Sequence, residues 1–273
     1  MKHTPRSLLR GVRYALPGQL GKVMPAPTPE AVAHLCRRLA RRGIATTVGY
    51  FQAEGSPPAA IAAANLSAAA ALSGTGAYLS VKAPPLEFAA GLLDRIAAAG
   101  LPILFDAHAP RDAQATHDAL ARLLPAHPGS GLAIPARWRR SPADAERFRD
   151  APVRIRLVKG EWPDPAWPDA DAETAYLALA ERLAGRSAPV AVATHDPQLA
   201  RRALAALLAA GTPCELEQLR GLPRRRTMAA AQELGVPVRV YLPFGPGWWP
   251  YALNQALARP YLPAWFIRDL APA

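Results

Sequence analysis

The sequence predicts a single (β/α)8 barrel of the TIM type, with one extra helix ahead of the first strand. Three observations lead there. Eight short β-prone stretches alternate with helical patterns from residue 44 onward. No linker-like change of composition interrupts that alternation, so the 273 residues serve one core. Polar and charged residues gather just beyond the carboxyl ends of the strands, the edge at which this fold binds its ligands. A doubly wound open sheet would also alternate. Eight parallel units use the whole chain, however, and no Gly-x-Gly-x-x-Gly turn follows the first strand.

Residues 1–27, with Pro17 and Gly18, read as a lead-in of no clear pattern; the barrel is expected over 28–273. Thr28-Pro29-Glu30 supplies an N-cap and a proline at the first helical position for a helix to Ala40, which Gly43 ends. Residues 44–48 form the first strand, stopped by Gly49, and Pro57-Pro58 starts an alanine-rich helix to about Ala71. The second strand, 78–82, is followed by a helix over 86–99. The third, 102–106, precedes a helix over 113–124. A weaker fourth strand over 131–134 leads to Ser141-Pro142, read as the cap and N1 position of the next helix. The fifth, Arg154 to Val158, leaves through Gly160 into a proline-rich loop and a helix over 171–183. Strands over 189–194, 213–217 and 236–241 alternate with helices over 197–209 and 227–234, and residues 248–258 form the final helix.

Composition narrows the function. No run of about 18 apolar residues exists, so no membrane span is expected, and the basic N-terminus lacks a secretion-signal core. Cys36 and Cys214 are the two cysteines, a pattern of buried thiols in the cytoplasm rather than a disulfide scaffold. The net charge of +11 is spread along helix patterns without the basic-aromatic clustering of a nucleic-acid reader. Lysine is scarce, four against 28 arginines, yet Lys82 and Lys159 each follow a strand pattern. Beside them at the strand ends stand Asp106, Arg156, Thr194, His195, Asp196, Glu215, Glu217 and Tyr241. One histidine among scattered acids makes no metal site, and no Gly-x-Ser-x-Gly elbow offers a nucleophile. Taken singly the residues have ordinary uses: Asp106 as a helix cap, Glu217 as a partner of Arg220. Together they suit a large anionic, hydrogen-bonding ligand.

Four motifs then carry a likeness. Arg156-Leu157-Val158-Lys159-Gly160, Ala193-Thr194-His195-Asp196, the stretch from Glu215 to Gly221, and Val238 through Gly245 resemble the serial motifs of the proline dehydrogenase family, in order and at similar spacing. The likeness continues through Trp248-Trp249-Pro250-Tyr251 and reaches weakly back to Lys82 and Asp106. It implies a distorted barrel that holds FAD noncovalently, oxidises an amine next to its nitrogen and passes electrons to a quinone or other acceptor. Arg156 would lie by the flavin N5 edge, with Lys82 and Asp106 flanking the substrate as catalytic residues. Lys159 and Gly160 would hold the cofactor's chain, Thr194 and His195 its phosphate and adenine end, with Asp196 and Glu217 completing that cradle. Arg220, Tyr241, Tyr251, Asn254 and Gln255 would line the substrate side.

The departures bear on the substrate. Asn254-Gln255 stands where the family has two arginines gripping the proline carboxylate, and Ala258 where it has an acid. Arg220 replaces a tyrosine, Glu217 a glutamine, and Pro135 a glutamine facing the flavin. Asn and Gln cannot reproduce a bidentate, charge-matched grip. A flavin enzyme acting on an amine other than free proline is therefore expected, with an inactive, ligand-binding barrel of the same family as the alternative.

Overall fold

A computed structural model of the chain describes residues 25–258, so most of the lead-in expected over 1–27 and the end of the chain lie outside the described residues. The helix α1 (Pro29–Ala40) comes first, capped by the Thr28 side chain, which accepts from the Ala31 amide at 3.3 Å. The barrel proper follows as β1 (Ala45–Tyr50), α2 (Pro58–Ala71), β2 (Tyr78–Val81), α3 (Ala90–Ala97), β3 (Ile103–Phe105), α4 (Ala113–Leu123), β4 (Gly131–Pro135) and α5 (Ser141–Arg147). Its second half is β5 (Arg154–Val158), α6 (Ala172–Leu183), β6 (Val190–Ala193), α7 (Pro197–Ala209), β7 (Cys214–Leu219), α8 (Arg225–Glu233), β8 (Val238–Phe244) and α9 (Trp248–Ala258). The eight strands are all parallel, pair in sequence order and close where β8 meets β1. The expected barrel with its additional first helix is what forms. No described helix is long and apolar enough to cross a membrane, and Cys36 and Cys214 are free thiols.

The apolar core is a ring between strands and helices. Ile155, Leu157, Val190, Val192, Leu216, Val240 and Leu242 pack outward against helix residues such as Leu179, Leu199 and Leu204. Period-two alternation then turns their neighbours inward. On β5 and β7 those neighbours are Arg154, Arg156, Glu215 and Glu217, so the interior is filled by ion pairs where aliphatic layers are usual. In the layer nearer the amino-terminal end, Arg154 and Arg239 share the Glu215 carboxylate. Both guanidiniums also lie over the Tyr78 ring, at 4.9 and 4.6 Å, and Arg239 donates to the Thr46 carbonyl at 2.7 Å.

Several boundaries differ from expectation for physical reasons. Gly49 does not stop β1; the strand runs on to Tyr50 because Gly49 pairs with both Ser80 and Pro243. Its missing side chain serves another purpose, since a Cβ there would lie 1.8 Å from the Tyr241 hydroxyl. Gly49→Ala is accordingly expected to cost about 1–3 kcal/mol through overpacking, read as a lowered urea midpoint. An unchanged midpoint would mean the tyrosine ring has room to move. The helix expected from Leu86 starts only at Ala90, because Pro84–Leu86 form a 3₁₀ turn and Glu87 and Phe88 adopt positive φ of 52° and 54°. Ser141 does not cap α5: its hydroxyl is buried and donates to the Pro135 carbonyl at 2.5 Å. Strands β7 and β8 run to Leu219 and Phe244, beyond the expected ends at Glu217 and Tyr241.

Candidate active site

A cavity of about 780 Å³ opens at the carboxyl end of the barrel, within the size range of cofactor and substrate pockets. Arg156 lies at its floor, with a side chain only 5% exposed. Its Nε and Nη2 donate to the two oxygens of Glu217 at 2.9 and 2.7 Å, and its Nη1 donates to Asp106 at 2.7 Å and to Ser80 at 3.3 Å. Burial works against its charge, but the two carboxylates outweigh it and hold its pKa above the usual arginine range. Burial would likewise push the Glu217 pKa up, and the Arg156 guanidinium reverses that to a net lowering. Glu217 thus pairs with a residue 61 positions away rather than with its neighbour Arg220.

Asp106 leaves β3 beside this pair and is not a helix cap. It accepts from Ser80 at 2.7 Å and from the Tyr241 hydroxyl at 3.2 Å, and Lys82 stands 3.6 Å from it. Burial, with the Asp106 charge, pushes the Tyr241 pKa far up, so the phenol stays a donor. The Arg156 guanidinium lies 5.1 Å from the centre of that ring. Lys82 donates to the Tyr50 carbonyl at 2.9 Å, and its ammonium sits 4.0 Å from the centre of the Phe51 ring. Burial lowers its pKa, with Asp106 opposing.

On one side of the rim stand Lys159, Gly160, Arg137 and Thr194, around an apolar strip of Ala133, Pro135, Val158 and Leu219. Gly160 has φ of 96°, and a Cβ there would come within 2.9 Å of Pro135. His195 reaches this rim, with Nδ1 2.7 Å from the Pro223 carbonyl and Nε2 accepting from the Leu219 amide at 3.1 Å. The neutral Nδ1–H tautomer satisfies both contacts. Asp196 lines the cavity too, while its carboxylate caps α7 by accepting from the Gln198 and Leu199 amides.

On the other side are Phe51, His108, Glu161, Trp162 and Tyr251. Phe51 lies 4.9 Å from Tyr251 and 5.3 Å from Trp248, ring centre to ring centre. His108 stacks on Trp162 at 5.6 Å, and burial lowers its pKa. Glu161, on the loop after β5, reaches across the mouth to α9. There it accepts from the Tyr251 hydroxyl at 3.1 Å and from the Gln255 amide at 2.5 Å.

The barrel therefore brings together Lys82, Asp106, Arg156, Lys159, Gly160, Thr194, His195, Asp196, Glu217, Tyr241 and Tyr251 around one cavity. Arg220 does not join them; it is exposed at the end of β7 and does not line the cavity. Asn254 and Gln255 do not line it directly either, and Gln255 acts on it through Glu161. Sequence reasoning assigned no part to Glu161, Phe51, Arg137 or Ser80. An acid directly after the Lys159-Gly160 turn was the one available signal for Glu161.

No family model matches the chain. Over 149 residues, 51% of the chain, it is 29% identical to proline dehydrogenase 1 of Bacillus subtilis subsp. natto. Over 138 residues, 48% of the chain, it is 31% identical to the proline dehydrogenase of Deinococcus radiodurans. These matches span about half the length of the curated relatives, 48% and 44%. The fold is similar to that of proline utilization A from Bdellovibrio bacteriovorus, a structure inactivated by N-propargylglycine, with a TM-score of 0.73 at 17% identity, over 89% of this chain and 33% of that one. For the Corynebacterium freiburgense protein of the same name the TM-score is 0.70 at 16% identity, over 97% and 34%. Half of the sequence is thus similar to proline dehydrogenases, at 29–31% identity, and the fold is similar to the barrel of proline utilization A.

Proposed function

We propose that this barrel is an FAD-dependent dehydrogenase that oxidises the carbon next to an amine nitrogen, on a substrate other than free proline. The observation that carries the reading is Arg156 on the cavity floor, at the carboxyl end of the barrel, between Asp106 and Glu217. The donor set suits the cofactor. Lys159, Arg137 and Thr194 offer cations and a hydroxyl for its phosphates, and the apolar strip from Ala133 to Leu219 suits a flat ring system. FAD, when bound, supplies the hydride acceptor. The protein's part is to hold the amine over the floor and to balance charge there through Arg156. Lys82 and Asp106 flank the amine as an ion pair at that floor. Phe51 and Tyr251 offer apolar surface to the amine's carbons. Electrons would leave to a quinone or comparable acceptor in the cytoplasm.

Charge in the cavity decides between substrates. A carboxylate taken out of water without a partner costs several kcal/mol. Arg156 and Lys82 are already engaged by Glu217 and Asp106, Arg220 stands outside the cavity, and Glu161 adds a negative charge at the mouth. We expect prolinamide and pyrrolidine to reduce the bound flavin anaerobically faster than proline at equal concentration. Proline reducing it fastest would overturn this choice of substrate. The engagement of Arg156 by two carboxylates favours a second reading, an inactive barrel that only binds a ligand. A colourless purified protein that takes up no added FAD would decide for it.

A further inference from the structure

Glu161 holds an unusual position among the acids of the cavity. Asp106 and Glu217 are ion-paired, and Asp196 caps a helix. Glu161 has no lysine or arginine nitrogen within 4.0 Å among the described residues. It is nonetheless oriented. The neutral Tyr251 hydroxyl and Gln255 amide each bind one of its oxygens, from a helix that follows β8, whereas Glu161 itself follows β5. The carboxylate is thereby held at the solvent-exposed mouth of the cavity, beside the Phe51–Tyr251 aromatic pair.

A carboxylate next to aromatic faces is the chemistry that recognises an ammonium or guanidinium group. The cavity already shows the arrangement once, with Lys82 over the Phe51 ring and near Asp106. We propose that Glu161 is a specificity-determining residue that receives a second cationic group of the substrate. The pocket then takes amines bearing a further ammonium or guanidinium where an amino acid would carry its carboxylate. This rests on the amine-oxidation reading and names the substrate class within it. The neutral tethers hold the carboxylate in place without pairing its charge, which otherwise acts only at longer range on Lys82 and His108 among the described residues.

The test is calorimetric titration of the full chain as purified with three probes: 2-(2-aminoethyl)pyrrolidine, which is dicationic at neutral pH, pyrrolidine, and proline. The dication is expected to bind at least tenfold more tightly than pyrrolidine, and proline more weakly than either. Glu161→Gln is expected to erase the dication's advantage, bringing its affinity down to that of pyrrolidine. Equal affinities for dication and pyrrolidine, proline binding as tightly as the dication, or a dication affinity untouched by Glu161→Gln would each overturn the proposal. Should that variant fail to fold, the comparison of probes on the unaltered chain decides alone. Binding is read here as heat, so the two readings fail separately. A protein that binds the dication yet never reduces flavin refutes the enzyme and keeps the site; flavin reduced equally by all amines does the reverse.

Discussion

Replacing Arg156 by methionine is expected to destabilise the barrel by about 3–5 kcal/mol at pH 7, measured by urea unfolding. The loss comes from what remains. Glu217, with a side chain 2% exposed, loses the guanidinium that binds both its oxygens and keeps only the more remote charges of Arg154 and Arg239, and among the described residues Asp106 retains Lys82, Ser80 and Tyr241. The effect depends on pH, with a definite sign. In the native chain Glu217 has a lowered pKa, so its contribution is present above the ordinary value of 4.5 and is lost as pH falls through the lowered one. Without Arg156, burial is opposed only by the more remote Arg154 and Arg239, so the pKa moves up from its native position and the variant recovers stability as Glu217 takes a proton. The gap between the two proteins should therefore close on acidification from pH 7 towards pH 4.5. A gap constant across that range would mean that Glu217 is not the stranded charge. If FAD is held as proposed, its affinity falls as well, by about 1.5–3 kcal/mol.

Glu215→Ala should cost a similar 3–5 kcal/mol but leave ligand binding alone. Glu215 is the shared carboxylate of Arg154 and Arg239, whose side chains are 4% and 7% exposed, and its removal leaves two like charges facing each other. Burial, with Arg239 nearby, already pushes the Arg154 pKa down to about 10. None of these three residues lines the cavity. Unfolding measured beside probe titration would separate the two layers: stability lost at both, binding lost only with Arg156. A Glu215→Ala chain that folds normally yet binds nothing would contradict the division.

Much of the barrel is legible in the chain because it depends on local signals. Thr28-Pro29 and Asp196-Pro197 mark helix starts, and runs such as Val190 to Ala193 declare buried parallel strands. The strand ends with their polar residues also follow from order alone, which is why Lys82, Asp106, Arg156, Thr194 and Tyr241 meet at one cavity. What local spacing cannot give is who faces whom across the barrel. Glu217 stands three positions from Arg220 in sequence, yet the closed sheet points it at Arg156 on β5. Gly49 reads as a stop because glycine often is one; only the tertiary approach of Tyr241 shows that it is a gap kept open. Glu161 escaped assignment for the same reason, since its partners lie 90 and 94 residues further on.

The charged filling of the barrel also bears on how the protein responds to heat. Hydration of an ionised group becomes less favourable as temperature rises, so the penalty for keeping Arg154, Arg156 and Arg239 away from water shrinks on warming. An interior of leucine and valine has no comparable compensation. Warmed beside a variant with its inner layers repacked by aliphatic side chains, this chain is expected to gain relative stability degree by degree.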